Sequence, residues 1–442
     1  MQGGLSVNKS QKIAFIVLST VLVVLPACSN KEVGGQATTA AVKNTKAENV
    51  ELRATWSGTA GRHERTLKVI ELFEKKYPNI KINAEYSGTD GFTDKLNTQI
   101  AGGNAADLIN VGSITDLVTR SAVLDITPYV TSKEINLEKY EPAFMEPGKD
   151  QGKYYGISLG TNGIGFFYNS DLIKKAGMEP PKDTFSWEDY EAYGKEVVQK
   201  LGPGYYAFAD QSRYSLYMNY FLRQSGKTIY KDGKAGFDKA DIAKWYGMWD
   251  RMRKEGLLPT PEEASTYTDL SVDTSIFPKG KTVFLMSWLN QLTAFQNGMK
   301  DELQITALPS GGAGAKNGLW VHPSQFWTIN KTSKHPKEAA QFINFFINDE
   351  EAAKILGSER GIPNSSAVRD MIKPTITATE KKFYSYFENY ISKAGPKDLD
   401  LPNGTEFNNT VISASQKVMF NKATIDQAAQ EVVDAFDKTI KK

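Results

Sequence analysis

From residue 51 onward the hydrophobic positions switch between a period of two and a period near 3.6. Residues 51–56 read as a strand closed by Ser57-Gly58, and residues 62–77 then set Thr66, Val69, Ile70, Phe73 and Tyr77 on one helical face. Pro78-Asn79 stops that helix, and residues 80–86 alternate as a half-buried strand does. A second helix over 92–101 runs into Gly102-Gly103, a pair suited to a C-cap, and 106–111 form a third strand. This order predicts an α/β fold, with a parallel sheet under helices and ligands beyond the carboxyl ends of the strands.

The middle of the chain has a different texture. Residues 154–168 are rich in glycine and aromatics, and 171–176, 187–200, 214–224 and 239–255 read as helices. Short apolar runs at 283–287 and 326–329 read as buried strands. Ala339, Phe342, Ile343 and Phe346 fall at i, i+3, i+4 and i+7, which predicts an amphipathic helix, and 408–435 is also helical in pattern. Trp245 and Trp249, four apart on one helix face, read as core packing. The chain carries no internal repeat of 20–50 residues.

The N-terminus changes the picture. Lys9 and Lys12 precede an apolar run over 13–25, interrupted by Ser19 and Thr20. That run is shorter than the ~20 residues of a spanning helix, so residues 1–27 read as a signal peptide. Leu25-Pro26-Ala27-Cys28 resembles the lipobox of bacterial lipoproteins, with Pro26 where that motif usually has a small non-proline residue. The resemblance implies a lipid-modified Cys28 as the mature N-terminus. Residues 28–49 hold few large apolar side chains and read as a flexible tether, which leaves an extracytoplasmic body anchored to the cell membrane.

Cys28 is the only cysteine in 442 residues, so the body has neither an internal disulfide nor a thiolate site. The net charge of +2 comes from 53 basic and 51 acidic residues interspersed along the chain, which argues against a nucleic-acid partner.

Four stretches carry a likeness. They are Phe73-Glu74-Lys75-Lys76-Tyr77-Pro78; Gly103-Asn104-Ala105-Ala106-Asp107-Leu108, with Ala106 in place of a usual proline; and Tyr155-Gly156-Ile157 on to Phe167-Tyr168-Asn169. The last runs from Trp327-Thr328-Ile329 through Lys334-His335-Pro336-Lys337-Glu338-Ala339-Ala340 to Arg360-Gly361-Ile362-Pro363. In that order the chain resembles the extracellular solute-binding proteins of family 1, the group that includes the maltose-binding proteins of ABC importers. The resemblance implies two α/β lobes joined by a hinge, with lobe 1 over 50–161 plus 283–332 and lobe 2 over 163–280 plus 335–442. It further implies a monomer without cofactor, metal or catalysis, closing on a carbohydrate and delivering it to membrane permease subunits.

A sugar offers flat C–H faces and a rim of hydroxyls, which aromatic rings and amide, carboxylate or guanidinium groups match. The chain has 7 Trp, 20 Tyr and 22 Phe to supply the rings. Trp56 ends the first strand with Arg62 in the following turn, and Asn110 and Ser113 stand at the end of the third strand. Asp210 and Gln211 follow a strand-like 205–209, and Trp288 leaves the sheet just after the apolar 283–286. Gln325 and Trp327 lie at 326–329 or beside it. The resemblance adds Asn162 at a lobe crossing and Arg360 in a loop that returns to the cleft, and it makes Trp288 a stacking platform. Core packing for Trp56 and Trp327, a surface turn for Asp210 and Gln211, and a solvated Arg360 are the plainer alternatives. Arg62 and Arg360 together would suit an acidic sugar.

A secreted carbohydrate-active enzyme needs the same aromatics plus two carboxylates whose separation a sequence does not show. No His-Glu-x-x-His motif occurs, and His63, His322 and His335 lack ligand spacing. A receptor of the same fold for a non-sugar solute is the other alternative.

Overall fold

Alternation in the strand Val50–Ser57 turns Val50, Leu52, Ala54 and Trp56 into the interior, where all are buried. The computed structural model describes residues 48–441 except 90, 270–271, 399–400 and 402–403; Cys28, the expected signal peptide and nearly all of the expected tether lie outside the described residues. Val50–Ser57 pairs in parallel with Ile80–Ser87 along its whole length and with Leu108–Val111 on its other side. Phe326–Ile329 adds antiparallel to Leu108–Val111, and Ile157–Ser158 closes that edge. The helix Ala60–Lys76 delivers Val69, Ile70 and Phe73 to this sheet, and Pro336–Asn348 delivers Ala339, Phe342, Ile343 and Phe346. The Trp327 ring meets Phe342 and Phe346 edge-on at 5.9 and 5.8 Å, so the one-sided helix face read in the sequence is real.

The second sheet runs Leu303–Thr306, Ile164–Asn169, Thr282–Trp288, Tyr206–Phe208. Its central strand Ile164–Asn169 is buried on both faces and lies antiparallel to both neighbours. Phe284 stacks between Phe166 and Phe208 at 5.1 and 5.5 Å, with Tyr190 edge-on. Helices Trp187–Leu201, Ser215–Gln224, Lys239–Lys254, Gly404–Met419 and Ile425–Ile440 share this core. The protein is therefore an α/β molecule of two sheet-centred lobes.

Sheet membership redraws the expected lobe boundaries. Residues 283–288 and 303–306 pair with Ile164–Asn169 and so belong to the second lobe, not to the first. Pro336–Asn348 packs on the first sheet, not on the second. A fully apolar strand buried on both faces has no period to show which sheet it joins; only its pairing partner decides.

Between the sheets, segments 158–162, 322–325 and 360–364 lie side by side. Thr161–Asn162 pairs antiparallel with His322–Pro323, and Thr161 exchanges backbone hydrogen bonds with Ile362 at 2.7 and 2.8 Å. Thr161 donates its hydroxyl to Asn364 Oδ1 at 2.6 Å, and Asn364 Nδ2 donates to Ser158 Oγ at 2.9 Å. Gly361 has φ +83°, and a Cβ there would lie 2.5 Å from the Thr161 carbonyl oxygen. Gly361→Ala is expected to cost roughly 2 kcal/mol, from left-handed backbone strain plus this contact. A lowered urea midpoint with an unchanged slope would show it.

Candidate functional site

Every residue of Thr282–Trp288 is buried except the last, so the Trp288 ring leaves the sheet half-exposed at its carboxyl end. The His322 imidazole stands 4.6 Å from it, tilted by 45°. Trp288 lines a cavity of about 330 Å³ together with Trp320, Asn219, Tyr230, Asp398 and Asn408. The Arg223 guanidinium lies 5.6 Å from the centre of the Trp320 ring. Arg223 also pairs with Asp398 and donates Nε to the Gly318 carbonyl at 3.0 Å. Asn219, one helical turn before Arg223, donates Nδ2 to Asp398 at 3.1 Å and accepts from Ile229 N at 3.0 Å. Residue 321 donates its amide to the Gly395 carbonyl at 2.9 Å, which fixes the loop that carries Asp398.

A larger cavity of about 540 Å³ meets this one at Lys397 and Asp398. Its far wall comes from the first lobe, with Ser113 and Thr115 beyond the strand Leu108–Val111, and with Phe326. The paired cavities thus form a cleft with one wall from each sheet, at the strand ends where α/β sheets place ligands. Among the described residues no group of His, Cys, Asp or Glu is placed to hold a metal ion.

Residues 68–383 match the model of a family described as bacterial extracellular solute-binding protein. The chain belongs to this family. A family 1 extracellular solute-binding protein from Alicyclobacillus acidocaldarius superposes with a TM-score of 0.77 at 29% identity, covering 89% of this chain and 99% of that one. The arabinooligosaccharide-binding protein of Bacillus subtilis is 22% identical over 392 residues, 86% of each chain. A periplasmic oligogalacturonide binding protein from Yersinia enterocolitica shares the fold, with a TM-score of 0.73 at 24% identity over 88% of this chain and 99% of its own. The family's description makes solute binding outside the cytoplasm its role.

Of the site residues expected from the sequence, Trp288 and Ser113 line the cleft of this solute-binding protein. Asn162 lies at its edge: Nδ2 donates to Asn290 Oδ1 at 2.9 Å and Oδ1 accepts from Asn290 N at 3.2 Å, so it braces the turn after Trp288. The others are occupied elsewhere. Trp56 is fully buried, stacked on Tyr86 at 5.1 Å and donating Nε1 to His63 Nδ1 at 3.1 Å, because its strand continues through Ser57. Trp327 is core, as its edge-on contacts show. Asn110 is buried and donates to the Phe326 carbonyl at 3.0 Å, tying neighbouring strands. Gln211 mimics a strand residue, pairing both amide ends with the Met286 backbone at 2.8 Å. Gln325 is buried beside the crossings; its main-chain carbonyl accepts from Leu159 N at 2.9 Å, and its side-chain Oε1 has no hydrogen-bond partner among the described residues.

Arg62 and Arg360 share Glu359, at 2.8 and 3.1 Å. Arg360 also donates to Thr66 Oγ1 at 2.8 Å, and burial pulls its pKa down to about 10. Neither arginine lines the cleft cavities, so the acidic-sugar reading gains no support from them. Asp210 is wholly buried against Arg253 at 2.7 Å. Sequence reasoning missed Trp320, Arg223, Asn219 and Asp398. The available signals were an aromatic two residues beyond the glycine-rich 310–318 and an Asn/Arg pair spaced by four on Ser215–Gln224.

A second buried carboxylate lies near Asp210. Asp269 is 1% exposed and accepts from Ser275 Oγ at 2.6 Å. Burial raises its pKa from 3.8 to about 6, while the Ser275 hydrogen bond and the Arg213 charge oppose the shift; Asp210 adds to it. The folded protein therefore binds the proton more tightly than the unfolded chain. This favours the fold below pH ~4, and the contribution is lost as pH rises through about 6. The difference in unfolding free energy between wild type and Asp269→Asn is expected to change by about 2 kcal/mol from pH ~4.5 to ~7, wild type losing ground at the higher pH. Urea titrations of both proteins at each pH give this difference, and other carboxylates cancel.

Proposed function

We propose that this chain is the carbohydrate receptor of an ABC importer, held at the outer face of the cell membrane by lipid on Cys28 and binding an oligosaccharide between its lobes. The observation that carries the reading is the half-exposed Trp288 in a cavity shared with Trp320 and rimmed by Asn219, Asn408 and Asp398. The Trp288 ring offers an apolar face to a pyranose, while the buried Trp320 backs the cavity wall; the amides and carboxylate offer partners to the sugar's hydroxyls. Ser113 supplies a hydroxyl from the opposite lobe, so contacts to both walls form together only when the hinge closes. The names of the arabinooligosaccharide- and oligogalacturonide-binding relatives support the solute class.

The test is a thermal-shift screen of the detergent-solubilised full chain against mono- and oligosaccharides, amino acids, polyamines and metal salts. A ligand that binds only the folded state raises Tm by mass action. A rise with one group of oligosaccharides, recovered intact afterwards, supports a receptor; cleavage of the sugar makes the chain an enzyme. A rise with polyamine or metal alone overturns the solute class. For the anchor, Cys28→Ser is expected to abolish labelling by a fatty-acid precursor and to move the protein from the detergent phase to the aqueous phase. Retained labelling sinks the lipoprotein reading.

A further inference from the structure

Beyond Thr228 and Tyr230 the sugar cavity opens into a third one of about 410 Å³. Its wall carries Arg223, Lys227, Lys231, Lys316 and Lys397 against Asp232 and Asp398. Two of these cations are neutralised locally: Arg223 by Asp398, and Lys227 by Asp238 at 3.0 Å and Asp241 at 2.5 Å. Lys231 and Lys316 are exposed and form no ion pair among the described residues. Lys316 is nonetheless positioned. Its amide donates to the Gln224 carbonyl at 2.9 Å, and its ammonium lies where a Cβ on Gly226 would come within 2.8 Å of it. Gly226, at φ +74°, thus leaves room for the lysine to lie along the cavity wall.

Resting on the carbohydrate reading above, we propose that the solute is an anionic oligosaccharide whose acidic group is received by Lys231 and Lys316 while a neighbouring ring stacks at Trp288. A neutral sugar has no use for a positively charged extension of its cavity. A carboxylate brought to two solvated ammonium groups gains a modest attraction from each, and salt screens it. A uronate unit and a sulfated unit share this chemistry, and the assay separates them by using each.

The experiment is calorimetric titration of the detergent-solubilised full chain with neutral hexose oligosaccharides and with hexuronate and sulfated oligosaccharides of equal length. At low salt one acidic series is expected to bind about 5–10-fold more tightly than the neutral one. At ~0.5 M salt the ratio should shrink toward one. In Lys231→Gln/Lys316→Gln the ratio should also approach one, and Lys231→Arg/Lys316→Arg should restore it. Equal or tighter neutral binding overturns this inference and keeps the carbohydrate receptor. An acidic preference that survives the glutamine variant overturns the assignment to these lysines. Binding of no sugar by a chain that responds to another solute overturns both readings.

Discussion

Replacing Trp288 with alanine is expected to weaken oligosaccharide binding by roughly 30-fold, an effect of about 2 kcal/mol typical of a buried aromatic anchor at an interface. The residue is the first of its strand to reach the cleft after a run of fully buried positions. The His322 ring packs against it at 4.6 Å and a 45° tilt, so the indole is held in place before any solute arrives. Alanine removes that face and leaves a space that water refills. Trp288→Phe retains a smaller ring and should keep affinity within about fivefold of wild type. Because Trp288 sits at the rim of its core and not within it, the ligand-free Tm should fall much less than for a change at Trp245 or Trp249, which are almost completely buried. Calorimetry on the three proteins measures the loss. Unchanged affinity in the alanine variant would move the solute to the larger cavity between Ser113 and Asp398.

What the sequence showed and what it hid follow from the same physics. The helix face of Ala339, Phe342, Ile343 and Phe346 was legible because only one side of Pro336–Asn348 is covered, and one-sided burial leaves a period. The strand ending at Trp288 was legible as a strand, and its last residue as an exit from the sheet. Its partner was not legible, since an apolar run fits either lobe and only the pairing with Ile164–Asn169 assigns it. Polar residues after strands were misread for a related reason. Asp210 and Gln211 look like loop residues until Arg253 and the Met286 backbone are brought against them, 43 and 75 positions away. Arg223 and Asp398, which pair beside the cavities, are separated by 175 positions. Long-range charge pairing has no periodic trace, so the same blindness put Asp210 among the candidate residues and passed over the cavity-lining Asp398.

Arg253→Met is expected to be among the most destabilising single changes in the second lobe, lowering the unfolding free energy by about 3–5 kcal/mol. Asp210 has no exposed surface, and the Arg253 side chain is 9% exposed. The carboxylate accepts from Arg253 Nη2 at 2.7 Å and Nε at 3.2 Å through one oxygen, and from Ser212 Oγ at 2.6 Å through the other. Methionine fills much of the arginine volume but leaves a buried carboxylate facing no cation, except for what Arg213 supplies from nearby. The double variant Asp210→Asn/Arg253→Met should recover part of the loss, because it removes the stranded charge along with its partner. Urea unfolding of the single and double variants forms the cycle that isolates the pair. The same proteins decide what Asp210 does. If it serves the fold, as its burial against Arg253 indicates, the Arg253→Met protein held well below its Tm should bind the solute within about twofold of wild type. A Kd that rises in proportion to the lost stability would instead tie the 210–213 segment to the cleft, and would return Asp210 to the binding site where the sequence first placed it.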